Sequence, residues 1–208
     1  MGVNYNLTIP IDRLEICLDA GNIKSYPGSG TSWKNLKTNT AFNGADYATS
    51  TWANNIQTMT ICTVVEKIGD DPNYATHPIN KWNSGTSNAS FVLYHFGATG
   101  GQGNFNFYYT CGSVWSGQYV TTLSIGQKAH MAFQWNSALG GQVWLNGAKV
   151  GSRANSGLLG VAGTGNITVV APTVDAYTKV HHASIYSKEL SDDEVIQHYK
   201  SIGKRFGL

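Results

Sequence analysis

The sequence predicts an all-β fold, a sandwich of two antiparallel sheets with one short helix near its end. Three features indicate this fold: about ten short segments with strand periodicity, turns rich in Gly, Asn, Pro and Ser between them, and a single capped amphipathic segment. No charge block, proline run or uniform glycine/serine tract interrupts the pattern. We therefore predict one domain over residues 1–208.

The first strands alternate with a period of two. In "RLEICLD" the alternation places Leu14, Ile16 and Leu18 on one face and Cys17 on the other. The segment "TMTICTVVEKI" continues the same pattern. Both are expected to be strands with one face in the core.

A long turn, "SYPGSGTSWKNL", follows the first strand, and its Pro and Gly residues let the chain reverse direction. Trp33 and Leu36 are expected to hold this turn against the edge of the sheet. Trp33 then closes one end of the sandwich; a platform for a sugar ring is the alternative role.

Hairpin signals dominate the middle of the chain. "SFVLYHFG" and "NFNFYYTCG" are joined by the glycine-rich "ATGGQG". "HMAFQWN" places Met131, Phe133 and Trp135 on one face, and we expect Trp135 in the core. Asn146-Gly147, between two alternating segments, is the strongest short signal for a two-residue hairpin turn.

One helix is predicted, over "SDDEVIQHYKSIG". Ser191 is the expected N-cap and Glu194 completes a capping box, while Gly203 supplies the C-terminal stop. The segment is too short to be stable alone, so we expect it to lie on the sandwich. Its predicted apolar face consists of Val195, Ile196, Tyr199 and Ile202.

Composition excludes several classes of function. Charged residues make up 12% of the chain and the net charge is +2 with no basic stripe, so no nucleic-acid partner is expected. No apolar run is long enough for a membrane span, and the first residues lack a secretion-signal pattern. Three widely spaced cysteines predict packed thiols rather than disulfides or a zinc motif. The chain is therefore expected to fold in a reducing cytoplasm.

Several blocks along the chain resemble one family. They are "CLDAGNIKSYPGSGTSWKNL", "FNGADY", "TICTVVEK", "HMAFQWN", "QVWLNGAKV" and "HHASIYSKELSDDEVIQHYKSIGKRFGL". In this order they resemble the concanavalin A-like lectin/glucanase superfamily, specifically the laminin G-like domain found in tailed-bacteriophage structural proteins. The resemblance implies a jelly-roll sandwich and a place in a phage virion. Such modules often bind calcium, for which Asp46 and Asp175 are the weak candidates here; we expect no cofactor.

The sequence predicts no enzyme. Glucanases of this superfamily carry an E-x-D-x-E strand, which this chain lacks. Glu15 and Asp19 share a strand face but lie about 13 Å apart, too far for a glycosidase carboxylate pair. His181 and His182 are adjacent on a strand and so are expected to face opposite ways. With no spaced histidine pair, no metal site is expected.

Binding is the remaining class of function. The candidate contacts for a partner or glycan are Trp82, Trp115, Tyr119 and Trp144. Trp82 and Trp115 lie in the loop-rich stretches "NKWNSG" and "SVWSGQY", and Trp144 is expected to face outward from its strand. We predict a non-catalytic virion protein, a capsid decoration or tail-associated component made in the host cytoplasm. Other virion proteins would hold it, in multiple copies per particle. A glycan-binding adhesion module is the alternative, and a glycoside hydrolase is the third candidate.

Overall fold

The structure, a computed structural model, describes ten stretches of the chain. These are residues 9–29, 32–38, 41–43, 56–70, 75–82, 89–97, 103–111, 114–159, 167–169 and 177–208. No helix in these stretches is long and apolar enough to cross a membrane. All three cysteines fall within them and are buried and free, as expected.

The described residues form strands and one α-helix. The strands are β1 (Leu14–Asp19), β2 (Ser32–Lys34), β3 (Ala41–Asn43), β4 (Thr58–Lys67), β5 (Ala75–Trp82), β6 (Ala89–Phe96), β7 (Asn104–Cys111), β8 (Val114–Thr122), β9 (Lys128–Asn136), β10 (Gly140–Leu145), β11 (Ala148–Arg153), β12 (Ile167–Val169) and β13 (Thr178–Tyr186). The helix, α1, spans Asp192–Gly203 and continues into a 3₁₀ turn, Lys204–Phe206.

Two antiparallel sheets make up the predicted sandwich, which the structure confirms. The six-stranded sheet has the order β1-β13-β4-β9-β10-β11, and the five-stranded sheet has the order β12-β5-β6-β7-β8. β2 and β3 form a separate pair. Between the two large sheets lies the main core, where Met131, Phe133 and Trp135 are fully buried on one face of β9, as predicted.

The predicted sheet face is wrong for one residue of β1, Leu14. Ile16 and Leu18 enter the main core, whereas Leu14 lies on the opposite face of the sheet with Cys17. The cause is a register irregularity between Leu14 and Ile16 in the pairing with β13. An extra residue in a strand moves everything before it to the other face.

The predicted turn between β10 and β11 is confirmed. Asn146 and Gly147 both have positive φ, 48° and 77°, as a type I′ hairpin turn requires. A Cβ at Gly147 would lie 2.6 Å from Cδ1 of Tyr199, so this turn also lies against the helix.

Helix α1 begins as predicted. The backbone N–H of Glu194 donates to Ser191 Oγ at 3.2 Å, and the Ser191 N–H donates to Glu194 Oε2 at 2.8 Å. The predicted stop at Gly203 is only partly right, because Gly203 is itself helical and the left-handed glycine is Gly207, with φ 79°. The buried face also contains His198, which the apolar pattern omitted.

The helix covers the outer face of the six-stranded sheet. This produces a second buried layer, which we call the helix layer; its members include Leu14, Cys17, Cys62, Val64, Ala132, Trp144, Tyr186, Leu190, Val195 and Ile202. The sandwich is therefore closed on one side by a helix.

The long turn after β1 closes one end of the sandwich, as expected. Trp33 is 2% exposed and belongs to the main core, with its ring centroid 5.2 Å from that of Tyr26. Ser25 Oγ accepts from the backbone N–H of Asp19 at 3.0 Å and donates to the Lys34 carbonyl at 2.7 Å. Trp33 is thus a structural residue, and the sugar-platform alternative is wrong.

Candidate functional site

The outer face of the five-stranded sheet carries a cluster of aromatic rings. Leu93 on β6 and Phe107 on β7 belong to the main core. Because successive side chains of a strand alternate, Tyr94 and Tyr108 lie on the opposite face. We call this surface the aromatic face; its rings are those of Tyr94, Phe96, Tyr108, Trp115 and Tyr119.

The rings of the aromatic face pack against one another. Trp115 stacks on Tyr108 with centroids 5.3 Å apart and planes 20° apart. Tyr94 meets Tyr108 edge-on at 5.0 Å and stacks on Phe96 at 5.2 Å. A Cβ at Gly117 would lie 2.4 Å from Cε1 of Tyr108, so the tyrosine ring rests on glycine backbone. This packing fixes the ring orientations in advance of any ligand.

Exposure increases toward β8. Tyr94 and Phe96 are buried, Tyr108 and Trp115 are half-buried, and Tyr119 is 55% exposed. The Tyr119 hydroxyl lies 3.0 Å from Thr122 Oγ1 in a hydrogen bond. Thr122 Oγ1 in turn donates to Asn104 Oδ1 at 2.5 Å. The exposed part of the aromatic face therefore has a rim of hydroxyl and amide groups.

The five-stranded sheet is nearly free of charge. The described strands β5 to β8 and β12 contain no Asp or Glu, and Lys81 is their one Lys or Arg. Lys81 is buried, with its ammonium 3.4 Å from Ser90 Oγ, and burial lowers the pKa of this group. The aromatic face thus offers apolar surface and neutral polar groups.

The structure brings together two of the four predicted contact residues. Trp115 and Tyr119 lie four positions apart on β8 and both belong to the aromatic face. Trp82 is the last residue of β5, three strands away from β8, and its side chain lies outside the described residues. The calcium candidates Asp46 and Asp175 also lie outside the described residues.

Trp144 is not a surface contact, which corrects the prediction. Its side chain points away from the main core, as alternation requires, but helix α1 covers that face and leaves Trp144 only 3% exposed. The indole N–H donates to Gln134 Oε1, and Gln134 Nε2 donates to the Leu190 carbonyl at 2.5 Å. The Lys149 ammonium lies 5.0 Å from the ring centroid. Trp144 therefore belongs to the helix layer.

Sequence reasoning did not select Tyr94, Phe96 or Tyr108. A signal was present, because "FVLYHF" and "NFNFYY" place aromatic or aliphatic residues on both faces of each strand. One such face fills a core, and the second needs another cover or a ligand.

The carboxylates Glu15 and Asp19 each have a separate basic partner. Lys37 Nζ lies 3.1 Å from Glu15 Oε2, and Ser187 Oγ also donates to Glu15. Asp19 is fully buried in an ion pair with Arg205, and its other oxygen accepts from the Gly21 N–H at 2.9 Å. Through these ion pairs, Glu15 attaches the segment that contains Lys37 to β1, and Asp19 attaches the C-terminal segment that contains Arg205.

A second cluster of chemically active groups is buried in the helix layer. Cys62 on β4, His130 on β9 and His198 on α1 are all fully buried, and one potential ligand atom from each lies within 4.8 Å of the others. His130 Nε2 and His198 Nδ1 share a hydrogen bond of 3.1 Å. The His182 ring lies 5.2 Å from the His198 ring.

His181 and His182 do not face opposite ways, contrary to the prediction. The pairing of β13 with β4 shifts register between Val180 and His182, which makes His181 an extra residue. His181 consequently contacts Phe206, and His182 contacts His198, both on the helix side of the sheet. His181 also forms a 2.7 Å hydrogen bond with Glu66.

Burial keeps the histidines of this cluster neutral. It lowers the pKa of His130 and of His182 to about 3, and that of His198 well below its usual value. Burial likewise raises the pKa of the Cys62 thiol. The cluster is therefore a set of uncharged imidazoles beside a thiol.

The structure is a β-sandwich whose five-stranded sheet carries an aromatic face that is buried at β6 and exposed toward β8. The sequence matches no protein-family model, and no curated protein matches it either. Solved structures do match. A mutant of Trypanosoma rangeli sialidase displaying trans-sialidase activity is 11% identical, with a TM-score of 0.65, over 95% of this chain and 34% of that chain.

Two other structures show the same likeness. Trypanosoma rangeli sialidase in complex with sialic acid is 12% identical, with a TM-score of 0.65 and the same coverage. The botulinum neurotoxin serotype D binding domain is 12% identical, with a TM-score of 0.55, over 74% of this chain and 38% of that chain. This chain thus spans about a third of the sialidase chains, and the likeness shows the β-sandwich fold alone. Membership in the laminin G-like domains of phage structural proteins stays a prediction.

Proposed function

We propose that this chain is a non-catalytic glycan-binding module whose ligand lies on the aromatic face. The observation that carries the proposal is the stacked Trp115–Tyr108 pair beside the exposed Tyr119. A small-molecule site combines apolar surface with a few placed polar groups, and an oligosaccharide offers both C–H faces and hydroxyls. The C–H face of a sugar ring would pack on Trp115, with hydroxyls bonded to the rim.

The absence of charge on the described strands favours a neutral sugar. An acidic sugar is best held by an arginine or lysine, because charge-assisted hydrogen bonds are the stronger ones. The one cation on these strands, Lys81, is buried, and the guanidinium of Arg153 on β11 donates to the Gly117 carbonyl of β8. One similar structure is a sialidase in complex with sialic acid, but this chain matches only 34% of that chain. The composition of the strands here suits a neutral glycan better.

The same strands favour binding over hydrolysis. Glycosidases use a pair of carboxyl groups on either side of the scissile bond. The described part of the five-stranded sheet offers none, and Glu15 and Asp19 are already paired on the other sheet. A role as a glycoside hydrolase therefore has the least support.

A glycan array followed by calorimetry tests the proposal. We expect a neutral oligosaccharide to bind, and Trp115→Ala to weaken its affinity about tenfold or more. Trp144→Phe is the matched control, because it changes a tryptophan on the covered sheet and should leave affinity unchanged. Absence of binding to every glycan at millimolar concentration would overturn the proposal. So would unchanged affinity in Trp115→Ala.

A protein partner is the second candidate, favoured by apolar exposure along β8. Val114 is 59% exposed and Ile125, in the turn after this strand, is 60% exposed. Among the described strands β8 pairs only with β7, so it forms an edge of the sheet. Such an edge with apolar side chains suits contact with another chain. Other virion proteins would be those partners if the resemblance to phage proteins holds.

The virion role has its own experiment. Peptide mapping of purified phage particles should find this chain in multiple copies, and a density map should place β8 against a neighbouring subunit. Particles that lack the chain would remove this candidate without affecting the glycan proposal.

A further inference from the structure

We propose that Cys62, His130 and His198 form a buried transition-metal site of the zinc class, between α1 and the six-stranded sheet. The three ligands lie on β4, β9 and α1, so they do not form a short sequence motif. The proposal departs from the sequence-based expectation of no metal, and it is independent of the glycan proposal.

The backbone places the two sheet ligands side by side. In the pairing of β4 with β9, Cys62 is opposite Ala132 and Val64 is opposite His130. Cys62 and His130 are thus diagonal neighbours. Cys62 belongs to the helix layer, and the His130 ring contacts the rings of His198 and Tyr199 on α1. Helix α1 then brings His198 over them from the other side.

The observed spacing is close to that of a tetrahedral site. His130 Nε2 and His198 Nδ1 are 3.1 Å apart, and the ligand atoms of the three residues lie within 4.8 Å of one another. Zinc bonds of about 2.0–2.1 Å to nitrogen and about 2.3 Å to sulfur place such atoms about 3.3–3.6 Å apart. Small side-chain rotations would bring the thiol and the two imidazoles around one ion.

The hydrogen bond between the two rings joins the nitrogens that would bind the ion, His130 Nε2 and His198 Nδ1. An ion between them would replace that hydrogen bond. The opposite nitrogens, His130 Nδ1 and His198 Nε2, are buried without a hydrogen-bond partner and would not contact the ion. His182 Nδ1 likewise has no hydrogen-bond partner, and its ring is the nearest further imidazole to His198.

The donor set suits a divalent cation of the zinc class, which binds imidazole nitrogen and thiolate sulfur. The Cys62 thiol would lose its proton on binding, so each metal ion bound should release one proton. Because the cluster is fully buried, the ion would join the helix to the sheet rather than meet a substrate.

Refolding with cobalt tests the site. The protein is unfolded in denaturant, refolded with one equivalent of Co²⁺ under reducing conditions, and dialysed. We expect one cobalt per chain, the visible bands of a tetrahedral ion, a thiolate-to-cobalt band in the near ultraviolet, and a higher Tm than the metal-free protein. Zinc should displace the cobalt and abolish the spectrum.

Cysteine variants locate the metal. Cys62→Ala should lose the thiolate band and the rise in Tm. Cys17→Ala is the matched control, because Cys17 is also a buried thiol of the helix layer yet lies outside the cluster, and it should keep both. Refolded wild type with no cobalt after dialysis would overturn the proposal, as would an identical spectrum in Cys62→Ala. If Cys62→Ala fails to fold, the spectrum of the cobalt-bound wild type is the test. Cobalt bound without a thiolate-to-cobalt band would contradict the proposed ligands.

Discussion

The outer faces of the two sheets differ although both are built from alternating strands. On the six-stranded sheet Trp144 is 3% exposed, because α1 lies over it, and His130 and His182 are fully buried. On the five-stranded sheet the rings of Trp115 and Tyr119 remain partly or largely exposed. One tryptophan is therefore part of a core, and the other is half-exposed.

This difference predicts that substitutions on the two faces affect different properties, stability on one face and binding on the other. The covered face gains buried apolar area and encloses polar groups that need internal partners. The aromatic face holds its rings in fixed positions, and Lys81 is the one charged residue on the described strands of its sheet. Substitutions on the covered face should therefore lower the free energy of unfolding, and those on the aromatic face should lower the affinity for a ligand.

The largest effect is expected from Trp144→Ala on the covered face. It removes a buried indole and leaves Gln134 Oε1 without its donor, so the free energy of unfolding should fall by about 3–5 kcal/mol. Urea unfolding followed by circular dichroism measures this. Glycan affinity under folding conditions should be unchanged; a loss of affinity equal to that of Trp115→Ala would break the comparison.

Arg205→Ala should cost about 3 kcal/mol, because it leaves the fully buried Asp19 without its cation. Burial raises the pKa of Asp19, and Arg205 opposes that rise. Without Arg205 the pKa rises further, so the folded variant binds a proton more tightly than its unfolded chain. Its deficit relative to wild type should therefore shrink as the pH falls. Urea unfolding at several pH values tests this, and a deficit that grows in acid contradicts it.

Trp115→Ala, on the aromatic face, is expected to lower ligand affinity more than stability. Its ring is half-buried, so the loss of stability should be about 1–2 kcal/mol, well below that of Trp144→Ala. The loss of glycan affinity should be about tenfold. Unfolding curves and calorimetry on the same preparation give both numbers. Equal destabilisation by the two tryptophan variants would mean that the aromatic face is a covered core as well.

Ser191→Ala should have the smallest effect, about 1 kcal/mol, because it removes the N-cap of the helix that covers one sheet. Thermal unfolding should detect it, with Ser152→Ala on exposed β11 as the control. No change on Ser191→Ala would indicate that packing alone fixes α1.

Part of the candidate site could be predicted from the sequence. Trp115 and Tyr119 were identifiable as aromatic residues among Gly, Ser and Gln, although the sequence indicated a loop-rich stretch where the structure has strand β8. Trp144 was wrongly expected at the surface, because alternation gives the side of a sheet but not what covers that side. The Cys62–His130–His198 cluster could not be found, since its members are separated by 68 residues in each interval.

What the sequence determined by itself is local: the strand periodicity, the Asn146-Gly147 turn and the capping box at Ser191. These depend on neighbouring residues, whose geometry the chain fixes directly. The tertiary structure alone decided which sheet face α1 covers, and how irregular pairing at Leu14 and His181 redirects side chains. Both depend on contacts between distant segments, which no local pattern encodes.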